Sequence, residues 1–116
     1  MKSDMLYLIH IKQSIEKIEE YVKDCDKASF HQRSMVQDAV IRNIEIMGEA
    51  TKKISIDTTG NNPQVPWKGM AGMRDKLIHH YHGVDLNLVW ATIQEDIPFI
   101  KSEILDIMDS MESNKE

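Results

Sequence analysis

The sequence predicts an all-α protein, an antiparallel bundle of four helices with room for one additional short helix. Three observations predict it. Apolar residues recur at steps of three and four over most of the chain. No segment alternates with period two over a useful length, so strands are not expected. One stretch alone, 55–66, gathers the Gly, Asn, Pro and Thr of a long loop.

Residues 5–25 place Met5, Leu8, Ile11, Ile15, Ile18, Val22 and Cys25 on one face of a first helix. Ser29 is suited to cap a second, whose stripe Val36, Val40, Asn43, Met47, Ala50 and Ile54 is apolar except at Asn43. Gly48 and Ala50 would let a neighbouring helix come close. Val36, Ala39, Ile41, Ile44 and Ile46 spread beyond one narrow face, which is more apolar surface than a single seam consumes and predicts self-association. A third helix starts near Trp67, behind Pro66, and runs to Gly83, a natural stop because glycine accepts positive φ. Asp85 then caps a fourth, with the stripe Leu86, Val89, Ile93, Ile97, Ile100, Ile104, Ile107 and Met111, and Pro98 predicts a kink within it. The terminal "ESNKE" reads as a frayed end.

The 116 residues suit a single domain spanning 1–116. Hydrophobic residues at 41% and charged residues at 28% fit a globular protein, and neither disorder nor a membrane span is expected. "LYLIHI" is too short to cross a bilayer and lacks the flanks of a signal peptide, so the chain reads as mature and cytoplasmic. Cys25, alone, excludes an internal disulfide and a cysteine-built zinc site. A net charge of −5 argues against a broad basic nucleic-acid footprint; contact with RNA would have to be local.

The chemistry concentrates in "GMRDKLIHHYHG", residues 72–83. Arginine carries a permanent forked charge that matches phosphate oxygens, and histidine exchanges a proton near neutral pH. Those two groups suffice for RNA cleavage without a metal or cofactor, because the neighbouring 2′-hydroxyl supplies the nucleophile. On an ideal helix Arg74 and Tyr81 share a face, whereas His79 points about 140° from Arg74. Either the arginine wraps around, the helix loosens before Gly83, or a second subunit completes the site.

Other readings compete. Asp75 and His79, four apart, can pair as a plain helical contact; Lys76 and His80 suit solvent, and Met70, Met73 and Leu77 suit the core. Asp75, His79 and His82 also have the helical spacing of a two-histidine, one-carboxylate metal site. No Ser or Cys near the histidines supports a nucleophilic triad, and no glycine-rich phosphate loop appears. Asn43 is a candidate active-site donor or a buried residue that sets helix register. Arg42, Glu45, Glu49 and Lys53 have the spacing of a salt-bridged solvent face, the alternative being a role in orienting the site.

The stretches "DAVIRNIEIMGEATKKIS" and "VPWKGMAGMRDKLIHHYHGVDLNLVWATIQEDIP" resemble the HepT-like branch of the HEPN domains, over nearly the whole chain and most specifically over 38–98. The hallmark of that branch is Arg-x-x-x-x-His-x-Tyr, and Arg74, His79 and Tyr81 match it position for position. The resemblance implies a helical bundle that forms a homodimer, with two motif copies in one cleft. It further implies a metal-independent ribonuclease toxin of a toxin–antitoxin module. Its partner would be an MntA-like nucleotidyltransferase antitoxin that silences the toxin by adding AMP to the motif tyrosine. Carried over, Arg74 stabilises phosphate, His79 transfers protons, Tyr81 accepts AMP, and Asp75 occupies the polar position after the arginine. Lys68, Arg74, Lys76 and the histidines would make a small positive pocket. The alternative from another class is a non-catalytic nucleotide-binding or partner-docking scaffold.

Overall fold

The computed structural model describes residues 2–79 and 83–113, with Lys2 and His79 described by their backbone alone. Three long helices, α1 (Lys2–Val22), α3 (Ser34–Lys52) and α8 (Ile97–Ser113), carry most of the core. Their apolar stripes converge: Leu8, Ile11, Ile15 and Ile18 of α1 form one buried cluster with Val40, Ile44 and Met47 of α3 and Ile100, Ile104 and Ile107 of α8. Each fully buried side chain of this kind contributes roughly 1.5–3 kcal/mol. Asp4 at the start of α1 binds Ser55 just past the end of α3, and Lys101 early in α8 binds Glu19 late in α1 at 2.9 Å. Both contacts require α1 to run antiparallel to its two neighbours.

The predicted second helix is two. Asp26, not Ser29, caps the short α2 (Lys27–Gln32); its carboxylate accepts from the Ser29 N–H at 2.8 Å while the Ser29 hydroxyl accepts from the Asp26 N–H at 3.0 Å. Ser29 therefore completes a capping box from inside the helix. Arg33 (φ −114°, ψ 85°) then breaks the helical path, and α3 begins at Ser34. The Gln37 side-chain amide covers the break by donating to the Phe30 carbonyl at 2.8 Å.

The expected loop at 55–66 contains a helix as well, α4 (Ile56–Asn61), capped by the Ser55 hydroxyl. Past it, Pro66 opens α5 (Trp67–Ala71), whose first residue is fixed by its indole N–H donating to the Asn62 carbonyl at 2.9 Å. The predicted third helix does not continue. Gly72, at φ −101° and ψ 6°, separates α5 from α6 (Met73–Leu77). The α6 helix ends because its last carbonyl, that of Leu77, is taken by the returning Asp85 N–H at 2.8 Å.

The segment beyond α6 corrects the expectation of no strands. Two-residue strands β1 (Ile78–His79) and β2 (Gly83–Val84) pair antiparallel, Ile78 opposite Val84 and His79 opposite Gly83. Gly83 takes positive φ, 75°, as anticipated, but it serves this ladder rather than ending a helix.

Asp85 caps α7 (Leu86–Ala91) as predicted, accepting from the Leu88 N–H at 3.0 Å. Pro98 acts one turn early. It cannot donate to Gln94, and its ring crowds that carbonyl, so the chain widens into a π turn at Thr92–Asp96 before resuming as α8. Among the described residues, no helix is long and apolar enough to cross a membrane.

Candidate functional site

The site is assembled on the face where α3, α5 and α6 meet. Gly48 lets α5 seat against α3: a Cβ there would lie 3.3 Å from both the Met70 and Ala71 carbonyl oxygens. That close approach, anticipated from the small residues of helix two, carries α6 to the same edge. Arg74 projects from α6 half exposed, at 51% of its side-chain surface.

Its guanidinium is held. The Nε–H donates to Glu45 Oε2 of α3 at 2.6 Å, and Nη1 lies 3.7 Å from the Asp75 carboxylate. The helical spacing of Arg42, Glu45, Glu49 and Lys53 predicts pairing along α3 itself. Glu49 does pair along the helix, with Lys52 at 3.3 Å, but Glu45 reaches across to the motif arginine. Among the described residues Arg42 and Lys53 enter no ion pair. At Glu45 the solvent-face ladder gives way to the other reading of these residues, a contact that orients Arg74.

The break after Leu77 changes the geometry of the motif. His79 lies on the extended β1 strand, so the 140° divergence expected of a continuous helix does not apply. Of the ways out of that conflict, the loosening of the helix before Gly83 is present in the described backbone. The same break takes His79 off the helix on which its pairing with Asp75 at four-residue spacing depends; His82, the further member of the metal reading, lies outside the described residues. Asp75 itself is 85% exposed and contacts Arg74. His80, Tyr81 and His82 lie outside the described residues.

Arg74 and Asp75 stand at the lip of an open groove of about 590 Å³, walled by α1 and α3. Nothing in the sequence pointed to Tyr7, His10 or Lys52 as members of it. Tyr7 and His10 of α1 form one wall with their rings edge to face, centroids 6.0 Å apart at 83°. Arg42, Lys52 and Lys53 line the α3 side. Such a groove offers aromatic edges, cations and one fixed guanidinium to a phosphate-bearing ligand.

Asn43 is buried on the core side of α3, not in this groove. Its amide N–H donates to the Ala39 carbonyl at 2.9 Å, and its Oδ1 has no partner among the described residues. Its donor thus serves its own helix, as a buried polar residue of the bundle would. Lys68 and Lys76 are exposed and do not line the groove either.

Comparison with known proteins agrees with that chemistry. The family described as Ribonuclease HepT-like matches residues 11–107. A Methanocaldococcus jannaschii protein named as a gamma-glutamylcyclotransferase and proposed RNase is 48% identical over 116 residues, which is 99% of this chain and 52% of that protein. The chain therefore spans about half the length of that relative. A Thermococcus cleftensis protein named "Probable ribonuclease HepT" is 46% identical over 97 residues, covering 84% of this chain and 88% of the relative. A proposed RNase of Caldanaerobacter subterraneus subsp. tengcongensis is 39% identical over 108 residues, covering 93% of this chain and 96% of its own. No solved structure matches the chain. With a family match over residues 11–107 and relatives 39–48% identical over most of the chain, the chain belongs to the Ribonuclease HepT-like family.

Proposed function

We propose that the protein is a metal-independent endoribonuclease, the toxin of a toxin–antitoxin pair, acting in the cytoplasm as a homodimer. The observation that carries this reading is the guanidinium of Arg74, fixed through Nε by Glu45 at the mouth of an open groove of about 590 Å³. Fixing Nε leaves the terminal amino groups to address a second anion, and a phosphodiester is the anion that arginine's fork matches best. Family membership and relatives named as RNases support the same substrate.

In the reaction, the 2′-hydroxyl oxygen attacks the adjacent phosphorus while the bond from phosphorus to the 5′-oxygen breaks. The products are a 2′,3′-cyclic phosphate and a 5′-hydroxyl. His79 moves the proton, taking it from the 2′-hydroxyl or giving it to the leaving 5′-oxygen, and Arg74 stabilises the charge that builds on the non-bridging oxygens. Both steps need only imidazole and guanidinium. In a dimer, a second motif copy supplies the histidine role that one copy leaves open. Asp75, its carboxylate 3.7 Å from Nη1, lies beside the guanidinium without a hydrogen bond to it, and the terminal amino groups stay available.

Silencing follows from charge. A nucleotidyltransferase of the MntA type, as antitoxin, transfers AMP from ATP to the Tyr81 hydroxyl and releases pyrophosphate. The new phosphodiester puts negative charge and bulk where substrate phosphate must sit. Purified protein incubated with unstructured RNA in EDTA tests the enzyme: wild type cleaves, and His79→Ala, folded, loses at least about 100-fold. Equal inactivity of both favours a non-catalytic nucleotide-binding or docking scaffold. Cleavage that requires a divalent ion refutes metal independence. Tyr81→Phe should escape the partner while keeping its fold; full neutralisation of that variant would exclude Tyr81 as the switch.

A further inference from the structure

We infer that the groove between α1 and α3 is a binding track for an unpaired RNA strand flanking the linkage to be cut. Arg42 and Lys53 take its phosphates, and the Tyr7–His10 wall takes a base. The inference rests on the reading of Arg74 as the phosphate-holding group of the site.

Charge makes the first argument. The chain carries a net −5, yet the carboxylates of this groove's α3 wall are occupied: Glu45 by Arg74 at 2.6 Å and Glu49 by Lys52 at 3.3 Å. Arg42 and Lys53, both exposed, are left with no ion pair among the described residues. They sit eleven positions apart, which at about 100° per residue brings them within about 20° of the same face of α3. The helical rise then separates them by about 16 Å. A stacked strand gains about 3.4 Å per phosphate, so the pair spans about five linkages, a stretch of polymer rather than a mononucleotide.

The opposite wall supplies the second argument. Tyr7 and His10 are one turn apart on α1, half buried, with rings at 83°. Perpendicular rings leave one face available for a base to stack on while the other ring packs its edge. Stacking of this kind selects unpaired strands, because a duplex keeps its base faces covered. Arg74 at the same groove's lip joins this track to the linkage held for cleavage.

The test uses a fluorescent 2′-O-methyl RNA oligomer, which lacks the nucleophile, so that binding is read apart from cleavage. Anisotropy titrations run from about 50 to 200 mM salt. Loss of two phosphate contacts lowers the salt slope by about 1.4 for a single strand. Wild-type affinity therefore falls about sevenfold more across that range than the affinity of Arg42→Gln/Lys53→Gln. His10→Leu weakens the single strand and leaves weak duplex binding unchanged. Both substituted positions of the double variant are exposed, and a thermal melt confirms its fold. A wild-type slope in that variant overturns the track. If Arg74→Gln weakens binding in the same experiment, the reading of Arg74 stands without it; if Arg74→Gln binds as wild type does, that reading fails and the track falls with it.

Discussion

The carboxylate of Asp4 is the most consequential polar group in the core, and its removal gives a direct test of how α1, α3 and α4 pack. Asp4 is 1% exposed. Three donors converge on it from the start of α4: the Ser55 N–H at 3.0 Å, the Ser55 hydroxyl at 2.6 Å and the Thr58 hydroxyl at 2.6 Å. Hydrogen bonds to a charged group contribute roughly 1.5–3 kcal/mol each, and they are not additive within one cluster. Asp4→Ala leaves those donors facing an apolar gap, so a loss of about 3–5 kcal/mol is expected. For a domain of this size each kcal/mol lowers Tm by roughly 4 °C, giving a fall of about 12–20 °C. Burial alone would raise the Asp4 pKa, but the hydrogen bonds from Ser55 and Thr58 outweigh it and hold the pKa below the ordinary 3.8. A depressed folded pKa stabilises above the unfolded value and ceases to do so as pH falls through the folded one. The stability difference between wild type and Asp4→Asn should therefore be constant near neutral pH and shrink below 3.8. Urea denaturation at neutral pH and at about pH 3 measures it. A Tm for Asp4→Ala within about 2 °C of wild type, or a gap that grows on acidification, would refute the reasoning.

Two further outcomes concern the site. Gly48→Val should lower stability by about 1–3 kcal/mol, because its side chain must displace the Met70 and Ala71 carbonyls that already lie 3.3 Å from a built Cβ. Gly48→Ala should stay close to wild type in a thermal melt, since the roughly 1 kcal/mol gained in helix propensity offsets the smaller displacement. Glu45→Ala should change stability by less than about 1 kcal/mol, as an exposed ion pair does, yet slow RNA cleavage about tenfold while tightening KM. Removing the carboxylate raises the local positive potential but lets the guanidinium drift; parallel loss of stability and activity would show that Glu45 is merely structural.

How much of this was legible in the sequence depended on how local its cause was. The stripe of α8 and the Asp85 cap are set by residues a few positions apart, and both appear where the periodicity places them. The α4 helix was hidden because Gly60, Asn61 and Asn62 have the composition of a loop, while its fixing contact comes from Asp4, fifty-one residues before Ser55. The end of α6 was hidden for the same kind of reason, since the Leu77 carbonyl is captured by an amide that arrives only at Asp85. The motif of Arg74 and His79 stood out by residue type and spacing, but the backbone under His79 did not, because the helix expected to reach Gly83 stops at Leu77 and leaves His79 on β1. Glu45 was legible only as an alternative, since its spacing to Arg42 and Glu49 also suits a solvent face, and it is the seating of α5 on Gly48 that brings α6 within its reach.

That seating also explains how one carboxylate can help a site that must bind an anion. The Arg74–Glu45 pair is close, at 2.6 Å, but its members are 51% and 32% exposed. In such a setting a pair is worth at most about 1 kcal/mol, because water screens the attraction and competes for both partners. An incoming phosphate that displaced it entirely would forfeit no more than about fivefold in affinity, and one that bound the terminal amino groups while Nε stayed on Glu45 would forfeit less. The pair therefore restricts the arginine's rotamers more than it neutralises its charge. A deeply buried partner would reverse that balance, since breaking it costs roughly 3–5 kcal/mol, and the guanidinium would then be locked away from substrate. The half-exposed position of Glu45 on α3 is what allows the motif arginine to be both oriented and available.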